Sequence, residues 1–126
     1  MSAKTFIKPF KVLSAGDMSQ ATLTSAVTAT QLVDNIGYQI NFTGAPVGIF
    51  AVQISQDYEP GRSPNSEPVN AGNWISVPLS PAITAAGSPD SAYIDLNQMS
   101  APYVRIVYTR TSGTGVLNIY VTAKAI

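Results

Sequence analysis

Asn35-Ile36-Gly37-Tyr38-Gln39-Ile40-Asn41-Phe42-Thr43-Gly44 is the stretch that decides the fold. Ile36, Tyr38, Ile40 and Phe42 fall on one face of an extended chain and Gly37, Gln39 and Asn41 on the other, the two-residue period of a strand with one buried side. Gly48 to Gln56 repeats the pattern, with Phe50, Val52 and Ile54 opposite Ala51, Gln53 and Ser55. Between the two, Thr43-Gly44-Ala45-Pro46 supplies Gly and Pro where a reversal needs them, so an antiparallel hairpin is expected. The C-terminus reads the same way. Val104, Ile106 and Tyr108 alternate with Arg105, Val107 and Thr109, and Leu117, Ile119, Val121 and Ala123 alternate with Asn118, Tyr120, Thr122 and Lys124. Thr111-Ser112-Gly113-Thr114-Gly115 between them predicts a second hairpin, with two glycines able to take positive φ.

Weaker strands are expected at Thr22 to Val33, Asn73 to Leu79 and Ala92 to Leu96, with an extended piece near Phe6 to Leu13. About seven or eight short strands set apart by Gly, Pro, Asn and Ser predict an all-β antiparallel sandwich or barrel. Apolar residues nowhere recur at helical spacing over three turns, which leaves at most a helical turn around Leu96 to Ser100. Asp57 to Gly72, polar and carrying Pro60, Gly61, Pro64, Pro68 and Gly72, reads as a long loop of the kind that is often functional. Ser80 to Ser91 reads as a shorter one.

Composition turns the search from catalysis to surfaces. The 126 residues include no His and no Cys, the commonest general base and the strongest nucleophile. Without His a Ser nucleophile needs a Lys partner, and no Ser-x-x-Lys run occurs. Asp57 with Glu59, and Asp90 with Asp95, are the carboxylate pairs to weigh, and both read as loop solvation or turn caps. Asp57, Glu59 and Asp90 lack the spacing of a calcium loop. Gly113-Thr114-Gly115 joins two strands, whereas a phosphate-binding loop opens a helix. The expectation is a non-enzyme with no cofactor and no metal.

Seven basic and seven acidic residues cancel, which speaks against nucleic acid or an acidic membrane as partner. No apolar run approaches the roughly 20 residues of a bilayer-crossing helix, and the first residues lack the pattern of a cleaved signal peptide. Three of the seven bases, Lys4, Lys8 and Lys11, fall within the first eleven residues. The chain is therefore divided into a basic extended arm over 1–16 and one β-sandwich domain over 17–126. On the arm, Phe6 and Phe10 between the lysines are candidate interface residues. Tyr58 and Trp74, at or beside the long loop, are the aromatic candidates, as interface anchors or as rings that stack on a glycan.

Three runs carry a family resemblance: Asn35 to Gly44, Ala92-Tyr93-Ile94-Asp95-Leu96-Asn97-Gln98, and Ala101 to Gly115 with its Tyr108-Thr109-Arg110-Thr111-Ser112-Gly113-Thr114-Gly115. Over roughly residues 35 to 126 the chain resembles small virion proteins of tailed bacteriophages. The resemblance implies a jelly-roll-like structural protein of the capsid cement or decoration type, with a neck or tail component as the alternative. It implies the major capsid protein and further copies of the chain, as dimer or trimer, as partners. The implied location is the outer capsid surface, after synthesis in the host cytoplasm. A glycan-binding module using Tyr58 and Trp74 is the rival from another class.

Overall fold

The computed structural model describes residues 6–30, 33, 35–63, 66–77, 79, 82–96 and 100–124. Ten strands run through them: β1 (Phe6–Asp17), β2 (Thr22–Thr24), β3 (Thr28–Ala29), β4 (Asn35–Gly44), β5 (Val47–Ser55), β6 (Ile75–Val77), β7 (Ile83–Ala86), β8 (Asp90–Leu96), β9 (Tyr103–Ser112) and β10 (Gly115–Lys124). All pairings are antiparallel. Sheet A has the order β1-β10-β4-β8, and sheet B the order β2-β9-β5-β6, with β3 continuing along β9 and β7 along β5.

The expected seven or eight strands become ten because two lanes of sheet B are each broken once. Between β2 and β3 the Ser25 hydroxyl accepts the Ile106 N–H at 2.9 Å, standing in for a ladder carbonyl, while Ala26 N–H turns away to Val12 O. Between β6 and β7 the sequence holds Pro78 and Pro81, which have no N–H to give a ladder. β7 also corrects the expectation of a plain loop over Ser80 to Ser91, and β8 starts at Asp90. Residues 97–99, where a helical turn was expected, lie outside the described residues.

Both expected hairpins are overturned. β4 lies in sheet A and β5 in sheet B, and β9 and β10 are split the same way. The chain arches over the core at both turns. Phe42 of β4 meets Phe50 of β5 across the sheets, with ring centroids 5.8 Å apart, and Phe50 meets Tyr108 at 4.8 Å. The two arches pack against each other at one end of the sandwich, where Ala45 N–H donates to Thr114 O at 2.9 Å. Gly113, at φ 75°, is required there, because any Cβ would overlap the Ala45 carbonyl oxygen. The order changes sheet at every step from lane to lane except β5 to β6, so the chain winds back and forth across the core of an antiparallel β-sandwich.

Most residues that the alternation placed inward are in the core, but Ile54 is only partly buried, and Val107 and Ser55, placed outward, are buried. Ile36, Tyr38, Ile40 and Phe42, then Phe50 and Val52, Val104, Ile106 and Tyr108, and Leu117, Ile119, Val121 and Ala123 are all buried. Each large side chain among them contributes about 1.5–3 kcal/mol of burial. Tyr38 donates its phenol hydrogen to the Thr28 hydroxyl of the opposite sheet at 2.9 Å, which satisfies a polar atom in an apolar core. Burial pushes that phenol up to about 12, with the Thr28 hydrogen bond pulling the other way.

Candidate functional site

The long loop closes the one hairpin in the described sandwich, from β5 to β6, and its ends are clamped. The Asp57 carboxylate accepts the Asn73 backbone N–H at 2.8 Å, the Asn73 side-chain amide at 2.7 Å and the Ser55 hydroxyl at 2.9 Å. Those donors, Asn73 first, hold its carboxyl below the usual carboxylate value. Further along, Glu59 and Asn70 exchange backbone hydrogen bonds of 2.9 and 3.3 Å. Gly72 turns the chain at φ 78°, with Ser55 Oγ and Tyr58 only 2.9 Å from where a Cβ would stand.

This clamp fixes the loop onto the outer face of sheet B. There Gln53 pairs with Arg105, and Ser55 with Tyr103. The Arg105 guanidinium lies 4.1 Å from the centre of the Trp74 ring and its Nε–H donates to the Gln53 side-chain oxygen at 2.9 Å. Partial burial lowers the guanidinium from its usual value, though Arg stays charged in proteins. Tyr58 is wedged between Trp74, at 5.6 Å, and the edge of Tyr103, at 5.0 Å. The Trp74 indole N–H donates to Ala71 O at 3.0 Å. Trp74 therefore seals a loop on the outside of a sheet and Tyr58 supports it. Neither half-buried ring is a free platform for a sugar.

Among the described residues no loop covers the outer face of sheet A. Lys11, Tyr120, Gln39 and Tyr93 form one transverse row, one residue from each strand. Asn118, Asn41 and Ser91 form the row on one side of it, and Thr122, Gly37 and Asp95 the row on the other. Two adjoining depressions, of about 310 and 330 Å³, share Gly37, Tyr93 and Thr122 and so make one trough. Tyr93 is 61 % exposed and its phenol lies over Gly37, where a Cβ would overlap it. The Lys11 ammonium sits 5.5 Å from the centre of the Tyr120 ring.

The N-terminal candidates fall on an edge strand. From Phe6 the segment expected as an arm is β1, paired with β10, with register shifts between Ile7 and Phe10, Lys11 and Leu13, and Leu13 and Gly16. Such irregularities, with Pro9, blunt an edge against pairing with other chains. Phe10 is 46 % exposed and Lys11 is exposed. Lys4 and the side chains of Phe6 and Lys8 lie outside the described residues. The structure thus joins Tyr58 and Trp74 in one cluster, to which it adds Tyr103 and Arg105, and it sets Phe10 and Lys11 on the other sheet. Gln39, Asn41, Tyr93 and Tyr120 were not singled out as a set. The signal was present, since they occupy the outward positions of alternating strands, but only the pairing register aligns them. Compared with protein-family models and with curated proteins, the sequence matches none.

Proposed function

We propose that the chain is a non-enzymatic structural protein of a phage virion. It binds the outer capsid surface as a homo-oligomer and reinforces contacts between major capsid subunits. The observation that carries this reading is the resemblance over residues 35 to 126, whose distinctive pieces run along β8, β9 and the arch into β10. The surface suits the role. Phe10, Ile49, Ile75 and Val116 stand exposed, and charged residues make up 11 % of the chain, so little charge holds neighbouring subunits away. Repeated copies on a symmetric shell turn modest contacts into firm attachment through effective concentration.

The test is the mass of the purified chain by analytical ultracentrifugation, followed by co-sedimentation with empty capsids of the phage that encodes it. A dimer or trimer that pellets with shells is expected; a monomer left in the supernatant overturns the proposal. Deleting the chain through Lys11 is not a clean probe of the basic segment, because it removes half of β1. The charge-reversing pair Lys8→Glu and Lys11→Glu keeps the strand, and is expected to slow shell association more than it speeds release.

A further inference from the structure

We propose that the trough on the outer face of sheet A is a binding site for a neutral oligosaccharide. Its central row presents a tyrosine on each side of a primary amide, Tyr120, Gln39 and Tyr93, from three adjacent strands. At about 4.8 Å per strand the two tyrosine backbones stand about 10 Å apart, and the Tyr93 ring leans inward until its phenol lies over Gly37 of the middle strand. A tyrosine ring offers an apolar face with a polar tip, which matches the C–H face and hydroxyl rim of a pyranose.

The flanking rows supply the directional contacts. Gln39 and Asn41 side-chain amides each offer two donors and an acceptor, and the Thr122 hydroxyl offers both, the inventory that a vicinal diol needs. None of these side chains is hydrogen-bonded to another described residue of the chain. The floor is low because position 37 is glycine, and the absent Cβ leaves the space in which the Tyr93 phenol lies.

Composition and charge select the ligand class. Among the described residues the 310 Å³ depression has no charged residue in its lining, and its neighbour has one of each sign, Asp95 and Lys124. Asp95 and Lys124 offset each other, so this lining carries no net charge to favour an acidic glycan. The middle of a protein interface is apolar, whereas here Gln39, Asn41 and Thr122 occupy the middle.

The test uses the full chain, isotope-labelled, titrated separately with cellohexaose, maltohexaose and laminarihexaose, and with oligogalacturonate as the acidic control. At least one neutral hexaose is expected to shift amide signals of residues 37–41, 91–95 and 118–122 saturably. Tyr93→Ala and Gly37→Ala, the second by displacing the Tyr93 ring, are each expected to weaken that binding about tenfold. Ile75→Ala, outside the trough, leaves it unchanged. An unaltered amide spectrum outside the trough shows that each variant is folded. The proposal is overturned if no neutral hexaose binds, if the shifts map to residues 56–74, or if oligogalacturonate binds more tightly. Concentration-dependent shifts in the trough without sugar overturn it too, since they would mean that a second copy fills the site.

Discussion

On the outer face of sheet B, Trp74 lies against the Arg105 guanidinium and the Tyr58 ring, under a loop whose ends Asp57 and Asn73 tie together. On the outer face of sheet A, Tyr93 stands 61 % exposed beside Gln39, with nothing from the described chain above it. Both faces belong to the same sandwich and both carry aromatic rings flanked by polar groups. One set is packed under a loop; in the other Tyr120 has the Lys11 ammonium over its ring, while Tyr93 leans on Gly37 with most of its surface exposed. A surface aromatic is thus a candidate for recognition only after its intramolecular contacts are known, and by that standard Tyr93 is a better candidate than Trp74.

The contrast has measurable consequences. Trp74→Ala removes a ring packed against Tyr58 and Arg105, and it should lower unfolding stability by about 2–3 kcal/mol in urea titrations. Gly72→Ala forces a Cβ into a left-handed backbone beside Ser55 and Tyr58. It should cost about 1–2 kcal/mol by the same measurement. Arg105→Lys keeps the charge but loses the planar contact with Trp74 and the Nε–H bond to Gln53, for about 1 kcal/mol.

Acid should act on the loop, and at the end of β1 where Ser19 holds the Asp17 carboxyl below its usual value, but not on the trough. The folded Asp57 carboxyl lies below its unfolded value, so its contribution is complete above the ordinary Asp value of about 3.9. That contribution is lost as pH falls through the depressed folded value. Amide exchange at residues 57–73 should therefore quicken, at matched intrinsic rate, below about pH 4, while residues 37–41 are unaffected. Equal changes in both segments would remove the distinction. The smallest effect belongs to the open face: Tyr93→Ala should change stability by less than about 0.5 kcal/mol. A larger loss would show that Tyr93 serves the fold, as Trp74 does, and would cancel the comparison.

Much of the fold could be read from residues alone. The alternation in Asn35 to Gly44 named four core residues, all buried, and the run around Ile119 behaved the same way; around Phe50 and Ile106 it missed the partial exposure of Ile54 and the burial of Ser55 and Val107. Short segments were harder. Thr22 to Val33 reads as one strand but is broken at Ser25, whose hydroxyl replaces a backbone acceptor, a substitution with no periodic signature. Ile83 to Ala86, four residues after two prolines, was too brief to show a period. Of the candidate site residues, Tyr58 and Trp74 were visible as aromatics beside a loop. Their cover, Arg105 and Tyr103, comes from a strand about 30 residues further along the sequence.

By itself the sequence determined where the long strands lie, which apolar residues of each point to the core, and that catalysis would have to proceed without His or Cys. Only the tertiary structure decided which strands are neighbours. A strand with one apolar face is satisfied equally by a partner beside it in the same sheet or by one facing it across the core, because both arrangements bury the same side chains. Local alternation is identical in the two cases. The choice between hairpin and arch at Gly44 and Gly113 rests on contacts such as Phe50 against Tyr108 and Ala45 against Thr114, which no short stretch of the chain contains. The register that aligns Lys11, Tyr120, Gln39 and Tyr93 across four strands is settled in the same way, by packing over the whole core.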